Sequence, residues 1–199
     1  MKKKMSRNKI ILIVAAAALI VFLICSAKVI DKGTEGQYTG VVAFDAGESS
    51  SGDWEQIVSE ISGKAEDATT IDIKSLGEGK AISIKGQVSD YVSKAAGKKN
   101  SIIIVPEGYS GDAVFAVQLG SIYSGTSVRD VQSLKVFGDF TNQTEWSQYA
   151  KALNSQLDEL VVAPLNIDEN IKGKTVTVIG AATATGNEVT ITPVVMTVE

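Results

Sequence analysis

The chain has 199 residues, no histidine and a single cysteine, Cys25. These counts exclude a serine–histidine–aspartate triad, a cysteine–histidine pair, a zinc site of Cys and His ligands and an intrachain disulfide. The net charge of −4 hides an asymmetry, because residues 1–27 hold five bases and no acid, which leaves 14 bases and 23 acids in residues 28–199. So acidic a body repels a phosphate backbone, and we expect no nucleic-acid partner.

Residues 10–27 form an uncharged apolar run that predicts a membrane helix. The 18 residues read IILIVAAAALIVFLICSA, and as a helix they would span about 27 Å, close to the thickness of the bilayer hydrocarbon. The preceding bases predict a cytoplasmic N-terminus, which places the rest of the chain outside the cell membrane. We expect residues 1–27 to be a cytoplasmic basic leader with an anchor or signal segment, so the membrane is a partner through residues 10–27.

Three fates of this segment are open. It can remain as an uncleaved anchor, it can be a signal peptide cut after Ala27, or it can be a lipoprotein signal in which Cys25 carries the lipid. Lipoprotein signals usually have Gly, Ala or Ser before the cysteine, whereas this chain has Ile24.

Residues 28–52 are predicted to be a tether, and residues 53–199 to be the extracytoplasmic domain. The tether is rich in glycine, serine and acidic residues, a composition typical of linkers and loops. Asp53 is the predicted N-cap of a first helix, in which Trp54 and Ile57 begin an apolar face at helical spacing.

Alternating runs rich in valine, isoleucine and threonine predict five β-strands. Gly186 and Asn187 form a two-residue turn that joins the last two strands into a hairpin. A less regular apolar run at residues 134–137 is a further strand candidate. The five predicted strands cover residues 81–91, 101–105, 112–119, 174–185 and 188–198.

A long helix is predicted over residues 142–162. Asn142 is its expected N-cap, Glu145 stands at the third helical position, and Pro164 marks its end. Apolar residues recur on one face of this helix, and they are Trp146, Tyr149, Ala150, Leu153, Leu157, Leu160 and Val161.

Five short strands with a helix between the third and the fourth are typical of an OB-type barrel. Gly86 lies in the first strand and Gly180 in the fourth, where glycine permits the sharp bends that close a small sheet. Pro193 predicts an edge or a bulge in the last strand. The expected fold is mainly β with helices (α+β), a small OB-like five-stranded barrel over residues 80–199, preceded by the N-terminal transmembrane or signal helix.

The polar stretch of residues 125–146 leads into the N-terminus of the long helix, where free backbone N–H groups favour anions. Arg129 is the one arginine after residue 27, and its guanidinium could bind a carboxylate, a phosphate or an acidic sugar bidentately. In the alternative interpretation, Arg129 pairs with Asp130 or Asp139 and holds the loop against the barrel, and Asp139 is a cap.

Five short elements carry a resemblance to a known family. They are G-x-x-x-x-G-T-x-x-R-D at residues 120–130, F-x-D-F-T-N-Q at 137–143, A-L-N at 152–154, A-P-L at 163–165 and K-G-K-T-V at 172–176. With them the chain resembles the bacterial predicted periplasmic lipoproteins known as domain-of-unknown-function family 2291. The resemblance implies an exported, membrane-tethered protein without an established activity, accessory to a sugar ABC transporter. The matched polar residues form the candidate binding site: Arg129, Asp130, Asp139, Asn142 and Gln143.

The first functional hypothesis is a membrane-anchored extracytoplasmic binding or adaptor module. The second is a protein that binds a small ligand, a sugar or an anion, near Arg129 and the N-terminus of the 142–162 helix. The third is a hydrolase acting through carboxylates, but no carboxylate pair stands in a setting that would shift its pKa usefully. We therefore expect no enzyme activity, no cofactor and no bound metal.

Overall fold

The computed structural model describes residues 44–77, 79–93, 100–120, 123 and 125–199. Residues 45–199 form one compact unit. The predicted anchor at residues 10–27, the lipid site Cys25 and most of the predicted tether lie outside the described residues.

A closed five-stranded barrel is the centre of the described chain. The strands are β1 (Glu66–Asp67), β2 (Lys80–Val92), β3 (Asn100–Pro106), β4 (Val114–Leu119), β5 (Thr175–Thr185) and β6 (Glu188–Val198). The strand order is β1-β2-β3-β4-β6-β5, and β5 also pairs with β2, which closes the sheet over β2–β6. β4 and β6 run parallel, and the other barrel pairs are antiparallel. The predicted barrel is thus confirmed, with its helical segment between the third and fourth barrel strands.

Two glycines allow the barrel strands to approach each other closely. Gly86 is paired with Pro106, and a Cβ at Gly86 would lie 2.2 Å from the carbonyl oxygen of Val105. Gly180 is paired with Pro193, and a Cβ there would lie 2.3 Å from the carbonyl oxygen of Thr192. The register of β5 against β6 shifts between Ile179 and Gly180, so Pro193 stands beside a bulge, as one of the two predicted alternatives required.

In the described ranges, three α-helices accompany the barrel: α1 (Ala46–Lys64), α2 (Ser127–Val131) and α3 (Gln143–Leu157). The helices α1 and α3 pack against each other, and α1 also contacts β2 and β5. Both helices bury large apolar side chains, which are Trp54, Ile57 and Ile61 from α1 and Tyr149, Leu153 and Leu157 from α3. Together with the inward residues of the strands, these side chains form the core.

The first helix begins earlier than predicted. Asp45 is its N-cap and accepts a hydrogen bond of 2.9 Å from the Glu48 N–H. The assignment of residues 46–52 to a tether and of Asp53 to an N-cap was therefore wrong. The prediction relied on the glycines and serines of this stretch, which are poor helix formers. In the structure the stretch is helical and Ser50 is fully buried. Tertiary packing and a good cap outweigh intrinsic propensity here.

The strand predicted at residues 134–137 is absent from the described residues. A 3₁₀ turn, Phe137–Asp139, follows α2 there. Leu134 and Val136 alternate with polar neighbours as strand residues do, but the described chain forms no strand there. Each barrel strand already has two barrel neighbours, so the closed barrel leaves little free edge for a further strand.

The long helix ends in a different geometry from the predicted one. A π-helical turn, Asp158–Val162, follows α3 and is succeeded by the 3₁₀ turns Ala163–Leu165 and Glu169–Ile171. Leu160 was predicted to lie on the apolar face, yet it is 52% exposed. The prediction was wrong because it assumed the angular step of an α-helix throughout.

Alanine substitutions at the two close-approach glycines test the closure of the barrel. Gly86→Ala and Gly180→Ala should each lower the free energy of unfolding of the full-length protein by about 1–3 kcal/mol, since the added methyl overlaps a backbone carbonyl. The matched control is Gly52→Ala in α1, where a Cβ meets nothing within 4 Å and helix propensity should raise stability by about 0.5–1 kcal/mol. Equal midpoints in urea unfolding for all three variants would contradict this account.

Candidate functional site

The predicted site residues gather where α2 meets the first turn of α3. The Arg129 side chain, 11% exposed, donates from Nε and Nη2 to Oδ1 of Asp130 at 2.8 and 2.6 Å. Its Nη1 donates to the Trp146 carbonyl oxygen at 3.4 Å, and the guanidinium carbon lies 4.3 Å from the centroid of the Trp146 ring. The guanidinium is thus engaged by an anion, a carbonyl and an aromatic face within the chain.

The other predicted site residues serve the backbone of the same region. Asp139 accepts the Val136 N–H at 2.9 Å. Asn142 is the N-cap of α3, as predicted, and accepts the N–H groups of Thr144 and Glu145 at 2.9 and 3.0 Å. These contacts satisfy helix N-terminal donors that an anion would otherwise use.

Gln143 is the first residue of α3 and is exposed. The structure therefore brings Arg129 and Asp130 together on α2 against α3, while Asp139 and Asn142 each cap their own turn. Asp130 is one of the two ion-pair partners, Asp130 or Asp139, that the structural interpretation of Arg129 predicted. Whether these five residues bind a ligand stays a prediction.

Four aromatic rings form a cluster beside Arg129. Phe140 lies 4.9 Å from Trp146 and 5.1 Å from Tyr149, centroid to centroid, and Phe137 lies edge-on to Trp146 at 6.4 Å. The Tyr149 hydroxyl donates to Asp53 on α1 at 2.8 Å. Burial, together with this hydrogen bond, raises the pKa of Tyr149 above its ordinary value, so the hydroxyl remains a donor that joins α3 to α1.

Gln132 and Glu60 organise the loop between α2 and α3, and sequence reasoning missed both. Gln132, 5% exposed, donates to the carbonyl oxygens of Arg129 and Lys135 at 2.8 and 2.7 Å and accepts the Lys135 N–H at 2.8 Å. Glu60 on α1 accepts the Ser133 N–H at 2.9 Å and also binds Lys64 and the Ser133 hydroxyl. No local sequence pattern marks partners that are 73 residues apart.

The loop so held presents apolar side chains to solvent. We define the 134–137 loop by Leu134, Val136 and Phe137, which are 37%, 54% and 51% exposed, with Lys135 between them. These are the residues that the apolar pattern had assigned to a strand. The apolar pattern therefore corresponds to an exposed surface loop and not to a β-strand.

Clefts are found among the described residues at two further places. One, of about 650 Å³, is bounded by residues 71–77 and the β5–β6 turn. Another, of about 400 Å³, lies beside the end of α2 and is lined by Lys64, Lys80 and Val131. Within the part of the chain that the structure describes, no group of three or more Cys, Asp or Glu side chains could hold a metal ion. A helix long and apolar enough to cross a bilayer is likewise not found among those residues.

Comparison with protein families identifies the chain. The model of a family described as "Predicted periplasmic lipoprotein (DUF2291)" matches residues 74–197. The chain belongs to this family. The resemblance seen in the short sequence elements is thereby confirmed. The match covers all five candidate site residues and every barrel strand apart from the last residue of β6, Val198.

The fold of this family member is also found in a solved structure. The crystal structure of an OB-fold protein from Thermotoga maritima superimposes with a TM-score of 0.54 at 14% sequence identity, covering 79% of this chain and 99% of that one. The predicted OB-like barrel is confirmed by this similarity, which concerns the fold alone. A search of curated proteins found no match.

Removal of the Arg129 side chain should loosen the contact between α2 and α3. We expect Arg129→Ala to lower the free energy of unfolding by about 1–2 kcal/mol, through loss of the ion pair and of the stacking on Trp146. Lys151→Ala, an exposed position on α3, is the control and should change stability by less than about 0.5 kcal/mol. Thermal unfolding followed by tryptophan emission measures both, and equal stability of the two variants would contradict the structural role.

Because of the contact of Glu60 with Ser133, the free energy of unfolding should depend on pH in the acidic range. Burial alone would raise its pKa, but hydrogen bonds from Lys64 and Ser133 outweigh this and lower the pKa of Glu60 below 4.5. The stabilisation is therefore present at neutral pH and is lost as the pH falls through the lowered pKa of the folded state.

Substitution tests this sign directly. Glu60→Gln should be less stable than the wild type at pH 7, and the difference should shrink as the pH falls below about 4.5. Glu55→Gln, on the exposed side of α1, should show no such convergence. Urea unfolding from pH 3 to pH 7 measures it, and a difference for Glu60→Gln that does not vary with pH would refute the assignment.

Proposed function

We propose that this protein is a membrane-anchored extracytoplasmic adaptor that holds a partner protein through the 134–137 loop. The proposed anchor is the apolar segment of residues 10–27 or a lipid on Cys25, with the N-terminus in the cytoplasm. Membership of a family described as predicted periplasmic lipoproteins supports the extracytoplasmic position. The role is non-catalytic, and the absence of histidine from the sequence supports this part of the proposal.

The exposure of the 134–137 loop is the observation that carries the proposal. Among the described residues, large apolar side chains are exposed at few positions, and three of these positions fall within four consecutive residues. Clustered apolar exposure on a soluble domain marks an interaction surface more often than scattered apolar residues do. Phe137, with its edge against Trp146, is the aromatic anchor such an interface would use.

The loop is held in place before any partner binds. Gln132 fixes its backbone from beneath, Asp139 accepts the Val136 N–H, and Glu60 ties Ser133 to α1. A preorganised loop loses little conformational entropy on binding, so more of the contact energy contributes to affinity. That the exposed apolar side chains lie on a loop held by hydrogen bonds supports a role of the loop in docking a partner.

The small-ligand hypothesis has less support from the geometry. Arg129 is already bonded to Asp130 and to the Trp146 carbonyl oxygen, and Asn142 occupies helix N-terminal donors. An anion would have to displace these partners. We therefore favour a protein partner, and the family resemblance supports a component of a sugar ABC transporter as that partner.

Site-specific photo-crosslinking in intact membranes tests the adaptor function. A photoreactive amino acid at position 136 of the full-length protein should yield one discrete adduct that mass spectrometry identifies as a transporter component. The matched control is position 105 on the barrel, because Val105 and Val136 are both 54% exposed. Phe137→Ser should reduce the adduct at position 136 by about fivefold or more, as loss of an aromatic anchor does.

Two results would refute this function. One is the same set of adducts at positions 136 and 105, which would indicate random collision. The other is no adduct at position 136 when the protein is present in the membrane at its normal level. Unchanged thermal unfolding of the Phe137→Ser variant ensures that a lost adduct reflects lost contact.

A further inference from the structure

We infer that a second surface of this protein, beyond the 134–137 loop, docks a basic amphipathic helix of a partner protein. We define the 160–164 surface by Leu160, Ala163 and Pro164, which are all exposed. It follows the C-terminal end of α3, whereas Trp146 and the 134–137 loop lie at the other end. Trp146 and Leu160 are separated by roughly 20 Å along the helix at about 1.5 Å per residue.

The exposure of Leu160 is produced by the backbone. In a continued α-helix Leu160 would share the face of Leu153 and Leu157, which are fully buried. Instead the Ala163 N–H donates to the Asp158 carbonyl oxygen, five residues back, and a π turn rotates less per residue than an α turn. As a result Val162 points into the core at 5% exposure and Leu160 points out at 52%.

The exposed residues lie on two consecutive hydrogen-bonded turns. Leu160 belongs to the π turn, and Ala163 and Pro164 belong to the 3₁₀ turn that follows it directly. The Asn166 N–H donates to the Ala163 carbonyl oxygen and its side-chain amide to that of Pro164, each at 3.2 Å. Asn166 adopts a left-handed conformation at φ 46°, which closes the turn directly behind the exposed residues.

Carboxylates flank this apolar surface along the chain. Asp158 and Glu159 precede it and Asp168 and Glu169 follow it. Asp158 accepts a hydrogen bond from the Tyr123 hydroxyl at 3.1 Å, and Asp168 accepts the Asn170 N–H at 2.9 Å. Glu169 interacts with Lys172, but Lys172 is paired with Asp90 at 2.7 Å, and none of the four carboxylates is within ion-pair distance of a described lysine or arginine. An apolar centre with an acidic rim complements an apolar row flanked by lysine or arginine.

A basic amphipathic helix is the simplest occupant with that pattern. Its apolar side would cover Leu160 and Pro164, and its basic flanks would neutralise carboxylates that otherwise repel each other. An anionic lipid surface fits less well, since the same carboxylates would face lipid headgroups of like charge. The inference therefore commits to a protein segment.

A crosslinking experiment with a defined probe tests this. The full-length protein, reconstituted in phosphatidylcholine nanodiscs with a photoreactive residue at position 163, is mixed with a synthetic 18-residue leucine–lysine helix. We expect an adduct that Leu160→Ser reduces by about fivefold or more, that Leu160→Met retains, and that raised salt weakens. The double variant Glu159→Gln with Glu169→Gln should also weaken it.

Matched controls make the result specific to this surface. A leucine–glutamate helix should give no adduct at position 163, and the leucine–lysine helix should give none from a photoreactive residue at position 105. Phe137→Ser should leave the adduct at position 163 unchanged, so this inference and the adaptor function of the 134–137 loop can fail separately.

Three outcomes would overturn the inference. The first is equal adduct yield for the lysine and glutamate helices. The second is a yield that Leu160→Ser does not change although the variant unfolds at the wild-type temperature. The third is crosslinking to lipid in nanodiscs containing phosphatidylglycerol with no peptide adduct, which would assign the surface to the membrane.

Discussion

The close approach of backbones at Gly86 and Gly180 is the constraint on which the rest of the structure depends. Each glycine faces a proline on the neighbouring strand, at Pro106 and Pro193. Any side chain at either glycine would overlap a carbonyl oxygen. Because these two contacts let β2 and β5 bend and pair with each other, the sheet closes and the barrel encloses a single core.

Closure also shapes the region after β4. Residues 125–142 form no strand, so they must satisfy their backbone groups in another way. Gln132, Asp139 and Asn142 supply these bonds from their side chains. The polar residues that the sequence pattern singled out are thus largely the means by which a loop outside the barrel is held.

Holding that loop has a consequence for function. Polar side chains fix the backbone from within, so Leu134, Val136 and Phe137 are left facing solvent. The π turn has the same effect on Leu160 at the other end of α3. Both exposed surfaces therefore arise from backbone geometry that the neighbouring structure imposes.

The sequence by itself determined the barrel and its helix, because these features are encoded locally. Alternation with period two placed the strands, Gly186 and Asn187 placed the hairpin turn, and Asn142 marked the start of α3. The internal glycines indicated where the strands bend. Each of these signals acts through residues adjacent in the chain or one turn apart.

Only the tertiary structure decided which polar and apolar residues face outward. From the sequence, Arg129 could bind either a ligand or an acidic side chain of the protein. In the structure it binds Asp130 and lies over the Trp146 ring, and the second contact depends on how α2 docks against α3. The early start of α1, the anchoring of Ser133 by Glu60 and the exposure of Leu160 depend on it as well. Each of these features depends on burial and hydrogen bonding between segments that are distant in the chain, so no local sequence pattern predicts it.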